Sequence, residues 1–288
     1  MLQPNLPGIL VTGANGQLGR CLQKAAANAP GFTFHFLGRE HLPIDNQLLT
    51  REVLNALKPV CVINAGAYTA VDKAESEPEI ANNANGYAVG NLAKYCHEAG
   101  AKFIHISTDY VFDGKARKPY LETDETNPVN AYGASKLLGE TLALHENPES
   151  IIIRTSWVYS AYGSNFVKTM LRLMNEKDLV RVVSDQFGSP TYAQDLADAI
   201  LTMAVTKDGP SGIYHYSNEG VISWYDFAIA IRDLSGLTCK VEPITTKQFP
   251  TPAKRPEWSV MDGSKIGREW NIHTRQWKAA LQDALKTF

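Results

Sequence analysis

Thr108 and the pair Tyr132 and Lys136 are the residues of this chain whose types and spacing describe a reaction. A phenol ionises near pH 10, roughly, so at neutral pH Tyr132 is a weak acid that needs a neighbouring positive charge to exchange its proton readily. Lys136, four residues further on, shares the same helix face and supplies that charge, and its ammonium is also placed to hold a nicotinamide ribose. Thr108 closes the run Ile104-His105-Ile106-Ser107 and offers a hydroxyl to a substrate carbonyl while Tyr132 delivers a proton to it. Together the three groups suit reduction of a carbonyl. With 12 tyrosines and 17 lysines in 288 residues, chance alone gives about 0.7 Tyr-x-x-x-Lys pairs. The pair therefore carries weight only through where the fold puts it.

Upstream, Gly13-Ala14-Asn15-Gly16-Gln17-Leu18-Gly19 lies between an apolar run, Gly8 to Thr12, and a segment with helical spacing at Leu18, Cys21, Leu22 and Ala25. A glycine turn between a strand and a helix brings backbone N–H groups against a pyrophosphate at the positive end of the helix. Its spacing is G-x-x-G-x-x-G, not the G-x-G-x-x-G of many dehydrogenases, so its position gives it force. The second strand ends at Gly38-Arg39-Glu40, where Arg39 suits a ribose 2′-phosphate and Glu40 a 2′-hydroxyl. NADPH is favoured, with NADH as the alternative.

The elements that must position these residues alternate as strand and helix. Strands are expected at Gly8 to Thr12, Phe32 to Leu37, Val60 to Ile63, Lys102 to Ser107, Ile151 to Ile153 and Val180 to Val183. Helices are expected at Gln17 to Ala29, Leu48 to Leu57, Glu79 to Ala99, after Pro128, Asn165 to Glu176, Trp224 to Leu234 and Thr274 to Lys286, while the alternation weakens after about residue 210. Parallel crossover units are the simplest account. The fold class is α/β: a Rossmann-type doubly wound parallel sheet with a smaller C-terminal substrate-binding lobe. Residues 1–160 form the dinucleotide-binding part, 180–216 return to it in part, and 161–179 and 217–288 make up the lobe. The loop Pro250 to Pro256 holds three prolines, and without a Gly/Ser-rich linker the two parts are expected to pack across a cleft.

Composition removes other classes. A length of 288 residues with 44% hydrophobic and 20% charged residues is enough for a substantial core, and a net charge of -2 gives no general attraction to nucleic acid or an anionic membrane. Cys21, Cys61, Cys96 and Cys239 form no C-x-x-C pair and read as reduced core thiols. No signal peptide or spanning run is recognisable, so a cytoplasmic protein is expected, with no nucleic-acid or membrane partner.

Thr108, Tyr132 and Lys136 resemble the constellation of the extended short-chain dehydrogenase/reductases, and the resemblance spans nearly the whole chain. More narrowly, the blocks Val11 to Gly19, Asn64 to Glu75, Ser107 to Gly114, Asp185 to Thr191 and Arg255-Pro256-x-x-Ser259-x-x-Asp262 are similar to those of the dTDP-4-dehydrorhamnose reductase family. The resemblance implies reduction of the C4 ketone of dTDP-4-dehydro-L-rhamnose to dTDP-L-rhamnose. It implies catalytic roles for Thr108, Tyr132 and Lys136. The cofactor side would be Gly13, Asn15, Gly16, Gln17, Leu18, Gly19, Arg39, Asp45, Ala65, Gly66, Ala67 and Tyr68, with Tyr132 and Lys136. Thr108, Asp109, Tyr110, Trp157 and Arg255 would face a dTDP-sugar, the expected partner, and a homodimer is the candidate assembly. Some members are described as dimerising through magnesium held by carboxylates, one of them just after the glycine turn. Here Arg20 and Cys21 stand in that place, which speaks against a magnesium site and for no metal.

Two rivals keep much of this pattern. Dehydratases and epimerases of nucleotide sugars share the glycine turn and the Tyr/Lys pair, but water elimination needs additional acid-base groups. Dehydratases resemble Thr-Asp-Glu at the threonine, whereas this chain has Thr108-Asp109-Tyr110. A non-catalytic NADP-binding regulatory subunit is the other reading; the presence of Thr108, Tyr132 and Lys136 favours catalysis.

Overall fold

The computed structural model describes residues 6–288. In chain order the elements are β1 (Gly8–Thr12), α1 (Gln17–Ala25), β2 (Thr33–Leu37), α2 (Gln47–Leu57), β3 (Cys61–Asn64), α3 (Val71–Ala74), α4 (Pro78–Asn82), α5 (Ala88–Ala99) and β4 (Lys102–Thr108). There follow α6 (Ala131–Glu146), β5 (Ile151–Thr155), β6 (Val158–Tyr159), α7 (Phe166–Glu176), β7 (Leu179–Val183), β8 (Phe187–Gly188), β9 (Thr191–Tyr192) and α8 (Ala193–Val205). The last are β10 (Gly212–Tyr216), β11 (Ile222–Ser223), α9 (Trp224–Leu234), β12 (Lys240–Ile244), α10 (Ser264–Trp270) and α11 (Trp277–Leu285).

Six strands form one sheet in the order β10-β5-β4-β3-β1-β2, every neighbouring pair parallel. Parallel strands need both faces covered, which is why Ile9, Leu10, Val11, Val62, Ile63, Phe103, Ile104, Ile152 and Ile153 are all fully buried. Each buried aliphatic side chain of this kind is worth about 1.5–3 kcal/mol relative to exposure. One face packs on α1 and α8 through Leu18, Leu22, Leu196 and Ile200, the other on the α2 and α5 layer through Leu54, Val89, Leu92 and Cys96. Chain direction across the sheet reverses between β1 and β3, so the crevice above their carboxyl ends is the place where such sheets bind ligands.

A second hydrophobic cluster joins α7, α9 and α11 to β7 and β12 through Val167, Met170, Val180, Phe227, Ile231, Val241 and Leu281. Strands β7 and β12 pair in parallel over Leu179–Val183 and Lys240–Ile244. Ile266 and Trp270 of α10 pack with the sheet cluster instead. All four cysteines are free and buried; burial pushes the thiols of Cys21 and Cys61 up to about 12 and that of Cys96 higher still.

Several boundaries differ from expectation for local reasons. The helix expected after Pro128 starts at Ala131, because Asn130 caps it by accepting from the Gly133 N–H at 2.7 Å. The expected helix Glu79 to Ala99 is broken by a π-helical turn over Asn83–Tyr87. The buried Asn85 there turns its side chain to the backbone of Tyr68, accepting from its N–H at 2.8 Å and donating to its carbonyl at 2.9 Å. The first helix ends at Ala25 and passes into a short 3-10 turn, Ala26–Asn28. Strand β10, helix α8, strand β12 and helix α10 lie where no element was expected.

Candidate active site

A cleft of about 810 Å³ opens above the carboxyl ends of β1, β3 and β4. The glycine turn supplies one wall. Gly13 has φ +67°, and a Cβ there would come within 2.6 Å of the Ala65 backbone, so only glycine lets the β1 and β3 loops approach this closely. Gly16 is the N-cap of α1 and has no side chain to cap it, leaving the leading N–H groups of the helix for an anion. The cleft is lined here by Gly13, Asn15, Gly16, Gln17 and Leu18, with Arg39 and Asp45 at its edge and Ala65, Gly66, Ala67 and Tyr68 from the loop after β3. This shape, with close-approaching backbone and an uncapped helix start, fits the pyrophosphate of a dinucleotide.

Gly19 is not on that wall. A Cβ at Gly19 would fall 2.3 Å from the Gly13 carbonyl oxygen, so this glycine seats α1 against its own turn. Arg39 is exposed and lies 3.6 Å from Asp45, a loose pairing that leaves the guanidinium available. Glu40 is more engaged: its Oε1 accepts from Asn15 Nδ2 at 2.8 Å. Gln17 ties the turn to the segment after β6, its Oε1 accepting from Asn165 Nδ2 at 2.9 Å and from the Ser160 hydroxyl at 3.1 Å.

Thr108, Asp109, Tyr110, Tyr132 and Lys136 all line the same cleft. Thr108 ends β4; its hydroxyl donates to Asp109 Oδ1 at 3.0 Å and accepts from the Tyr110 N–H at 3.2 Å. The Tyr110 and Tyr132 rings meet edge-on, centroids 5.9 Å apart. Burial pushes the Tyr132 phenol up to about 12, the charge of Asp109 adds to this, and the Thr108 hydroxyl works against it. The lowering expected from Lys136 is not among the influences on this phenol, and Tyr132 holds its proton at neutral pH, as a donor must. Lys136 is buried, donates from Nζ to the Ile106 carbonyl at 2.6 Å, and is brought down to about 8 by burial, with Glu140 opposing. Asp109 is raised to about 6 by burial, opposed in part by the nearby hydroxyls of Ser259 and Thr108. Its Oδ2 has no partner among the described residues.

Trp157, also on the wall, has φ +48°. It is held there by a parallel stack on Trp224, centroids 3.5 Å apart. Trp224 starts α9 and lines the cleft with Gly163, Ser164 and Thr155. None of these four was singled out from the sequence, and only the capping box at Ser223, which marks the start of α9, hints at Trp224. Arg255 does not reach the cleft wall. Its guanidinium donates to Asp72 at 2.9 Å and to the Ala253 carbonyl at 2.8 Å, fastening the proline loop to α3. Among the described residues no group of three or more His, Cys, Asp or Glu side chains is gathered to hold a metal, and no helix is long and apolar enough to cross a membrane.

A doubly wound parallel sheet, a glycine turn at its switch point and a Thr, Tyr and Lys wall on the next strand and helix define the class of short-chain dehydrogenase/reductases. A family model described as the RmlD substrate binding domain matches residues 8–288. The dTDP-4-dehydrorhamnose reductase of Aggregatibacter actinomycetemcomitans is 42% identical over 285 residues, covering 96% of this chain and 97% of the relative. A crystal structure of such a reductase from Clostridium acetobutylicum superposes with a TM-score of 0.93 at 43% identity, covering 97% of this chain and 98% of that one. Another, from Bacillus anthracis in complex with NADP, gives 0.94 at 36% identity, covering 98% and 100%. The chain belongs to the dTDP-4-dehydrorhamnose reductase family.

Proposed function

We propose that this protein reduces the C4 ketone of dTDP-4-dehydro-L-rhamnose to dTDP-L-rhamnose, with NADPH as preferred reductant. The observation that carries the reading is the convergence of Thr108, Tyr132 and Lys136 on one cleft with the glycine turn. The nicotinamide supplies a hydride to the carbonyl carbon. Thr108 turns its hydrogen from Asp109 Oδ1 to the carbonyl oxygen and polarises it, Tyr132 gives its phenolic proton to the oxygen as negative charge develops, and Lys136 holds the neighbouring charge. Trp157, braced by Trp224, offers a flat face to the sugar nucleotide. Tyr110, where a dehydratase would want a carboxylate, favours reduction over water elimination.

The direct test follows NADPH oxidation with enzymatically prepared dTDP-4-dehydro-L-rhamnose and identifies the sugar formed. No oxidation with either nicotinamide cofactor removes the proposal. Arg39→Ala is expected to raise KM for NADPH about tenfold or more, the worth of a charged hydrogen bond to phosphate, with little change for NADH. Equal effects on both cofactors would mean that Arg39 does not read the 2′ position.

A pH dependence follows from Lys136. With its pKa brought down to about 8, the ammonium is lost as pH rises through that value, so kcat/KM is expected to fall on the alkaline side from near pH 8. Stability runs the other way. Between about 8 and the ordinary lysine value the folded protein binds fewer protons than the unfolded chain, so this group's contribution grows with rising pH there. A kcat/KM profile flat to pH 10 would contradict the role given to Lys136.

A further inference from the structure

Behind Lys136 runs a line of buried side chains that the reaction as derived leaves idle. Thr12 at the end of β1, Asn64 at the end of β3 and His105 within β4 are fully enclosed. The line begins at the cofactor wall, where the Gly66 N–H donates to Thr12 Oγ1 at 3.2 Å. Having accepted there, the Thr12 hydroxyl donates its own hydrogen to Asn64 Oδ1 at 2.6 Å. That turns the Asn64 amide nitrogen to His105 Nδ1, 3.0 Å away. An amide nitrogen only donates, so Nδ1 is the bare ring nitrogen, and a neutral imidazole then carries its hydrogen on Nε2. His105 is neutral, because burial and then the charge of Lys136 press its pKa well below the usual histidine value. Nε2 stands 3.3 Å from Lys136 Nζ.

We propose that Thr12, Asn64 and His105 are positioning residues acting through Lys136: they lock His105 in the Nε2–H tautomer, and that N–H, aimed at the lysine nitrogen, favours the free amine over the ammonium. A free amine has a lone pair to accept the N–H. An ammonium has none, and two donors then face each other. The Ile106 carbonyl accepts from Nζ at 2.6 Å in either state, more strongly from the ammonium, and so stands with Glu140 against the line. The other charged or titratable groups nearby are Tyr132 and Glu140 on the same helix, and Asp109 in the loop after β4. From β5, Arg154 takes up the charge of Glu140 at 2.7 Å. Glu140 favours the ammonium; the line from Gly66 opposes it. The kinetic consequence rests on the reductase reading, whereas the tautomer does not.

The test has two arms. In the full-length protein labelled with 15N-histidine, with His105 assigned by its loss in His105→Phe, two-bond proton–nitrogen spectra are expected to show a bare Nδ1 and a protonated Nε2. A hydrogen on Nδ1, or a charged ring, overturns the proposal whatever the substrate proves to be. In the kinetic arm, Thr12→Val removes the hydroxyl at nearly constant shape and frees the Asn64 amide to turn over. His105 Nε2 then becomes an acceptor for the ammonium. The alkaline limb of kcat/KM is expected to move up by about half a pH unit or more, and Thr12→Ser to restore it. An unmoved or lowered limb in Thr12→Val overturns the coupling to Lys136, and the spectra of the unaltered protein decide the tautomer should the valine variant not fold.

Discussion

Tyr132→Phe is expected to lower kcat for carbonyl reduction at least about a hundredfold while leaving NADPH affinity nearly unchanged. The substitution removes one oxygen and leaves the ring, so the edge-on contact with Tyr110 survives. Backbone and packing around the start of α6 depend on the Asn130 cap, not on the phenol. What disappears is the proton whose pKa burial and Asp109 hold near 12. A loss in kcat with the cofactor dissociation constant preserved, measured by protein fluorescence quenching, separates a proton donor from a structural tyrosine. Turnover within a few-fold of the unaltered protein would sink the assignment.

The largest expected effect on stability is Arg154→Met, about 3–5 kcal/mol. Arg154 on β5 and Glu140 on α6 are both almost wholly removed from water and meet through Nε at 3.0 Å and Nη2 at 2.7 Å. The Ser107 hydroxyl completes the carboxylate's partners, and the guanidinium lies over the Phe112 ring at 5.1 Å. Methionine matches much of the arginine stem but strands Glu140, and an unpaired buried carboxylate is far costlier than the pair is favourable. The double variant Arg154→Met with Glu140→Leu is therefore expected to recover most of the loss. Denaturant unfolding of the three variants checks both statements; a double variant no more stable than the single one would mean that packing, not stranded charge, sets the cost.

The parts of the fold legible in the sequence were those with a periodic signal. The strand, glycine turn and helix of Gly8–Ala25 and the apolar runs of β3 and β4 declare themselves because a parallel strand is buried on both faces. Strand β10 carries no such signal, because its run Gly212-Ile213-Tyr214-His215-Tyr216 alternates apolar, aromatic and polar types, and part of its burial comes from α10, some fifty residues away. The π turn at Asn83–Tyr87 is illegible for a related reason, since the buried Asn85 within it bonds the Tyr68 backbone in the loop after β3. In the site, Thr108, Tyr132 and Lys136 can be read not from their spacing, which chance would supply, but because an apolar strand run ends at Thr108 and a helix opens after Pro128 to carry the other two. Trp224 cannot, since nothing local says that it stacks on Trp157. Motif resemblance makes Gly19 and Arg255 ligand-facing, whereas Gly19 seats α1 on its own turn and Arg255 is paired with Asp72.

The four enclosed thiols turn the molecule into its own stopwatch. Burial keeps alkylating and disulfide reagents from each thiol, and at Cys21, Cys61 and Cys96 it also suppresses the reactive thiolate. Each cysteine therefore becomes reactive only while its surroundings are open, and its modification rate counts those openings. Cys239 keeps time for the cluster around α9, and Cys21, Cys61 and Cys96 for the layers of the sheet. A ligand held between Trp157 on one side and the glycine turn on the other would slow both clocks together, whereas one bound to the turn alone would slow only the second.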